Sequence, residues 1–95
     1  YMKTLHNHPI NSSAWLSLTD YDQKNHTQLI STLETFLKYD GNLYETAEHL
    51  HVHVNTIHYR IKRISEIAQV DLKDPLIKTT LLLELLLQQY KAYLC

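Results

Sequence analysis

The chain has one cysteine, and it is the last residue, Cys95. A single thiol cannot build a disulfide framework or a two-cysteine redox motif, and a reducing cytoplasm is its natural compartment. One glycine and two prolines leave little material for the turns of a sheet. No stretch alternates apolar and polar residues between turn signals, so strands are not expected. Net charge is also scarce. The formal charge is −1 and the pI about 6.7, whereas a domain that binds nucleic acid is ordinarily basic throughout. Any attraction for phosphate must therefore be local. No signal peptide or hydrophobic span opens the chain. Motifs for chemistry are missing as well: there is no glycine-rich phosphate loop, no nucleophile elbow and no metal triad. His6, Ser12 and Asp20 occur, but nothing brings them together. No cofactor, metal or enzymatic activity is expected.

What is present is apolar material in helical register. Hydrophobic residues make up 44% of 95 residues, ample for one core, although a domain this small is marginal and gains from dimerisation. The expected fold is all-α, a small helical bundle containing a helix-turn-helix and a leucine-rich C-terminal helix. Residues 1–20 read as an N-terminal segment, a short helix or a cloning or upstream remnant, because Tyr1 precedes Met2; residues 21–95 read as the domain proper. Ser12 or Ser13 can cap a short helix holding Ala14, Trp15, Leu16 and Leu18, with Trp15 as a packing anchor. A polar stretch, 20–26, follows. The next helix is expected over 27–39, burying Leu29, Ile30, Leu33, Phe36 and Leu37. Later, 69–73 reads as a loop. Asp74 then caps a helix with Pro75 in its first position, expected to run over about 76–93.

The most informative stretch is 42–64, NLYETAEHLHVHVNTIHYRIKRI. Gly41 can take the left-handed conformation that closes a helix, and Asn42 can cap the next one. Glu45 stands three residues on, where a carboxylate favours the positive helix end. Leu43, Ala47 and Leu50 form one stripe, and small Ala47 permits a crossing helix to approach. The helix is expected to end near His51, a residue type that tolerates left-handed backbone better than most. A second helix follows. Val54, Ile57, Ile61, Ile64 and Ala68 fill one face at three/four spacing. Asn55, Tyr59, Lys62, Arg63 and Glu66 fill the other, with Thr56 and His58 on its flanks. Between residues 54 and 65 there are three basic residues and no acid. Two short helices joined by a tight turn, the second with a polar, basic outer face, have the layout of a helix-turn-helix presenting one helix to the DNA major groove. Asn55 and Thr56 lie in its first turn, where residues commonly meet base edges: Asn can pair with adenine through two hydrogen bonds, and Thr can donate, accept or touch a thymine methyl. Arg60, Lys62 and Arg63 suit phosphates, with Arg60 nearer the apolar edge and placed to reach sideways. The plainer reading is a solvated amphipathic helix; the caps, the turn length and the preceding Ala-bearing helix weigh against it.

These residues resemble a known family. Gly41-Asn42-Leu43, Thr46-Ala47, Leu50-His51-Val52-His53 and Asn55-Thr56-Ile57-His58-Tyr59-Arg60-Ile61 look like the C-terminal helix-turn-helix of PucR/CdaR-type bacterial transcriptional regulators. The run Asp71-Leu72-Lys73-Asp74-Pro75, leading into a leucine-rich helix, is similar to the same domain. The likeness covers roughly 21–94, with 55–61 its most specific piece; a looser likeness to Fis-type helix-turn-helices covers the same run. The resemblance implies a cytoplasmic DNA-binding output domain at the end of a longer regulator, acting as a dimer on double-stranded operator DNA. Any effector would then bind an upstream domain. The chain departs from the family's pattern at Val54 and His58, where a basic residue is usual.

The expected DNA-binding residues are therefore His53, Asn55, Thr56, His58, Tyr59, Arg60, Lys62 and Arg63, with Asn55, Thr56 and His58 reading bases. Tyr59 differs from the other tyrosines because it projects from the outer face; Tyr39, Tyr44 and Tyr90 are expected to pack with their hydroxyls at the surface. Seven histidines invite a metal reading, but the expected turn separates His49 from His53 and no Cys or carboxylate stands at motif spacing. The last helix has leucines nearly all round its axis, more than one buried stripe requires. Either one face covers the helix-turn-helix and another pairs with a second chain, or an upstream domain covers the excess; the first is preferred, giving a homodimer through this helix. The rival functional reading is a protein-interaction and dimerisation module that keeps the helix-turn-helix shape with little DNA affinity.

Overall fold

Each described helix but the last is followed by a residue that pays a steric penalty there. A computed structural model describes residues 13–94, and among them the chain forms α1 (Ser13–Asn25), α2 (Leu29–Lys38), α3 (Leu43–Leu50), α4 (Val54–Ala68) and α5 (Pro75–Leu94), with no strand. His26, Asp40, His51 and Gln69 follow α1 to α4 with φ between 54° and 59°. After each, the next backbone N–H reaches back five residues: Thr27 to Asp22, Gly41 to Phe36, Val52 to Ala47 and Val70 to Ser65. This is the Schellman closure, which satisfies the last carbonyls of a helix and usually employs glycine. A chain with one glycine uses side-chain-bearing residues instead. Gly41 lies one residue later than expected: Asp40 closes α2, and Gly41, at φ +81°, carries the turn onward.

The polar stretch 20–26 is a correction to the sequence reading. Residues 20–25 are the second half of α1, which runs without a break through residues 20 and 21, and His26 closes it. Polar composition misleads here because this half of the helix has another task. The Asp22 carboxylate accepts from the backbone N–H groups of Leu29 and Ile30, each at 2.9 Å, and from the Thr27 hydroxyl. It therefore caps α2 from a neighbouring helix. Gln28, the residue at the cap position, makes no side-chain cap bond. The helix accordingly starts at Leu29, two residues later than expected.

The first half of α1 supplies apolar anchors. Ala14, Trp15 and Leu18 are buried with Leu29, Leu33, Phe36, Leu37, Ile64, Leu72, Leu81 and Leu85 in one core, while Leu16 faces solvent. Ser12 lies outside the described residues. Among the described helices, α2 packs against all four others. Its buried face takes in Thr32 and Thr35 as well as the expected leucines and Phe36, and Ile30 is only partly covered. The threonines satisfy their hydroxyls by donating to the carbonyls four residues back, at 2.8 and 2.9 Å.

Helix α5 starts where Pro75 suggests. The Asp74 carboxylate accepts from Leu76 N at 2.9 Å, and the missing proline N–H costs nothing in the first turn. Its backbone runs closest to α2, and its buried leucines share the core with Ile64 of α4. Leu81 and Leu85 are buried, and Leu76, Leu83, Leu86 and Leu87 are exposed. No described helix is long and apolar enough to cross a membrane.

Candidate nucleic-acid interface

The pair α3–α4 is assembled by local signals. Asn42 Oδ1 accepts from Glu45 N at 3.0 Å, the expected N-cap. Thr46 and Ala47 are buried, and the Thr46 hydroxyl donates to the Asn42 carbonyl at 2.7 Å. Small side chains let α4 cross closely at this point. His51 takes the left-handed conformation (φ 59°, ψ 42°), and three residues later the chain re-enters a helix. His53 is the N-cap of α4: its Nδ1 accepts from Asn55 N at 3.0 Å. One of the expected DNA-binding residues thus has a structural task, fixing the first turn from which Asn55 and Thr56 project.

Helix α4 is divided along its length. Ile57 and Ile64 have no exposed surface, and Ile61 and Ala68 pack against the core. On the other side Asn55, His58, Lys62 and Glu66 are exposed, and Tyr59 is 66% exposed. The seam is sealed and the polar face open, as the periodicity requires.

Two arginines on one flank are held by distant parts of the chain. Arg60 Nη1 donates to the Thr32 hydroxyl at 3.1 Å, the sideways reach expected of it. Thr32 Oγ1 in turn donates to the Gln28 carbonyl, so one hydroxyl links α4 to the start of α2. Arg63 donates from Nε and Nη2 to the Tyr21 hydroxyl, at 3.2 and 3.1 Å, and lies 5.4 Å from the centre of the same ring. It also pairs with Glu66 at 3.3 Å. The Tyr21 hydrogen bond, then Glu66, holds the Arg63 guanidinium above its ordinary pKa, so its charge is constant. Both partners of this ion pair are well exposed, and such pairs contribute little to stability. With Thr56, Tyr59, His26 and Thr27, the arginines line a cleft of about 430 Å³ between α4 and the α1–α2 turn.

Of the expected residues, Thr56, Tyr59, Arg60 and Arg63 share this cleft, Asn55 and Lys62 stand on the open face, and His58 lies on the opposite flank. Tyr21, Asp22 and Thr32 were not anticipated from sequence. The arginine contacts of Thr32 and Tyr21 span 28 and 42 residues, and no local pattern signals pairings of that range.

The remaining tyrosines divide. Tyr39 is half-buried, its hydroxyl 3.3 Å from His49 Nδ1. Tyr44 and Tyr90 are 73% and 62% exposed, contrary to the packing expected of them. Tyr44 sits two residues from buried Thr46, about 200° around the helix, and so points away from the core. Among the described residues, no three His, Cys, Asp or Glu side chains group as a metal site.

Comparison with known proteins finds the same module. The family model of the PucR C-terminal helix-turn-helix domain matches residues 29–87. Three curated relatives come from Bacillus subtilis (strain 168). The DNA-binding transcriptional activator AdeR is 41% identical over 71 residues, covering 75% of this chain and 17% of the relative. The proline-responsive transcriptional activator PutR is 39% identical over 70 residues, covering 74% and 17%. The purine catabolism regulatory protein is 35% identical over 80 residues, covering 84% and 14%. The chain thus spans less than a fifth of the length of these relatives. No solved structure matches it.

Proposed function

The chain belongs to the PucR C-terminal helix-turn-helix family, and from that premise we propose that it is the output domain of a longer bacterial regulator, placing α4 in the major groove of double-stranded DNA. The observation that carries this reading is the division of α4: Ile57 and Ile64 have no exposed surface while the opposite face stands open. A helix sealed on one side and polar on the other fits a groove without uncovering core.

In this reading Asn55, Thr56 and His58 meet base edges. Tyr59, Arg60, Lys62 and Arg63 contact the sugar-phosphate backbone, and His53 holds the first turn in place. Thr32 and Tyr21 pre-position the two arginines, which reduces the side-chain freedom lost on binding. The domain acts in the cytoplasm, carries out no catalysis, and leaves effector binding to the rest of the regulator. Exposed Leu83, Leu86 and Leu87 on α5 pair with a second copy, so two recognition helices address one duplex.

The test is selection of bound sequences from a random duplex pool, followed by a salt titration on the winners. Enrichment of a two-part site, with affinity falling steeply as salt rises, supports the reading. No retardation of any duplex at low salt removes it in favour of an interaction module of the same shape. Arg60→Ala or Lys62→Ala weakens binding to all duplexes, whereas Asn55→Ala mainly blurs sequence choice.

A further inference from the structure

Helix α4 has a second basic flank, and its cations come from outside the helix-turn-helix. His58 and Ile61 line a cleft of about 450 Å³ with Phe36, Leu72, Lys73 and Lys78. His58 and Arg63 are five residues apart, about 140° around a helix, so this cleft and the arginine cleft lie on opposite sides of α4.

No acidic residue lines the second cleft; Asp40, the neighbour of Gly41, lines the adjoining pocket that Lys78 shares. The carboxylates nearest in sequence are turned into their own backbone: Asp71 Oδ1 accepts from Lys73 N and Asp74 Oδ1 from Leu76 N, each at 2.9 Å. Neither lysine ammonium has a hydrogen bond or ion pair among the described residues. The chain's one glycine sits directly beneath Lys78: a Cβ built on Gly41 would lie 3.1 Å from Lys78 Nζ and 3.5 Å from Phe36 Cζ. The backbone is thus bare where the ammonium crosses it.

We infer that this cleft is a second seat for the DNA backbone: Lys73 and Lys78 hold phosphates of one strand while the Arg60–Arg63 flank holds those of the other. The inference rests on α4 entering the major groove, a channel about 12 Å wide with one backbone on each side. A helix gripped on one flank can roll in that channel; cations on both flanks fix its rotation and so the register of Asn55 and Thr56 on the bases. Lysine suits the task, since a compact charge on a long stem follows a phosphate without demanding a fixed fork. The arrangement also explains how a chain with formal charge −1 presents cations to DNA: they converge on α4 from α4 itself, from the loop before α5 and from the first turn of α5.

The experiment uses the 95-residue chain on a selected duplex, comparing the wild type, the double variant Lys73→Ala with Lys78→Ala, and Lys24→Ala as a charge control, each checked for an unchanged helical circular-dichroism spectrum. The double variant is expected to lower the slope of log affinity against log salt by about 2, close to 0.9 per phosphate released, with sequence preference kept. Lys24→Ala leaves the slope within error. Ethylation interference adds a positional readout: with the double variant, blocked phosphates on one strand cease to matter while those facing the arginines still do. A double variant with the wild-type slope and interference pattern overturns the inference and leaves the DNA reading standing. A wild type that binds no duplex removes both.

Discussion

Helices α4 and α5 carry similar apolar material, and the structure treats them differently. In α4 the isoleucines occupy one seam, and the polar residues are excluded from it; the seam is buried and the rest is open. In α5 the leucines surround the axis, yet among those whose burial is described only Leu81 and Leu85 are buried, while Leu76, Leu83, Leu86 and Leu87 face solvent. The comparison teaches that segregation, not hydrophobicity, lets a sequence announce its packing. A helix with one apolar stripe has one way to satisfy it. A helix apolar all round takes whatever cover its neighbours offer, and α2 offers α5 a single side.

The largest test of this contrast removes a side chain from the sealed seam. Ile64→Ala leaves a cavity in the core that it shares with Leu33 and Leu37 and is expected to cost about 2–5 kcal/mol, read from urea denaturation. A loss under about 1 kcal/mol shows that the seam is not packed as described. Asp22→Ala probes an element whose start rests on another helix. It frees the Leu29 and Ile30 N–H groups and is expected to cost about 1–2 kcal/mol, with hydrogen-exchange protection lost first at the start of α2. Unchanged protection there shows that the carboxylate is not the cap. His51→Gly relieves a left-handed histidine and is expected to raise stability by about 0.5–1 kcal/mol without altering DNA affinity. A destabilised variant shows that the histidine ring supplies something its backbone conformation does not. The smallest effect on the isolated monomer is expected at the open face of α5: Leu83→Ala changes stability by less than about 0.5 kcal/mol at low protein concentration. The same face sharpens the comparison at high concentration. The pair Leu83→Glu with Leu87→Glu is expected to abolish concentration-dependent association in sedimentation; if the wild type is a monomer throughout, the dimer through α5 is removed.

Much of the fold was legible because its signals are local. Asn42 with Glu45, Asp74 with Pro75, and the isoleucine seam each act within one or two helical turns, so they read the same in the chain as in the molecule. Residues 20–26 were misread because Asp22 does its work on backbone groups of a different helix. The outward face of α4 was legible, but the ordering of Arg60 by Thr32 and of Arg63 by Tyr21 was not. Nor did spacing bring Lys73 and Lys78 to the flank of α4, since one stands in a loop beside buried Leu72 and the other on α5, which packs against α2.

The order of residues alone determined that this chain forms helices, where the helix-turn-helix lies and which side of α4 turns inward, because capping and 3.6-residue periodicity are properties of neighbours along the backbone. Tertiary structure decided which leucines of α5 are covered, which side chains pin the arginines and where the outlying lysines come to rest. Those outcomes depend on distances between segments far apart in the chain, and such distances exist only after the core around α2 has closed.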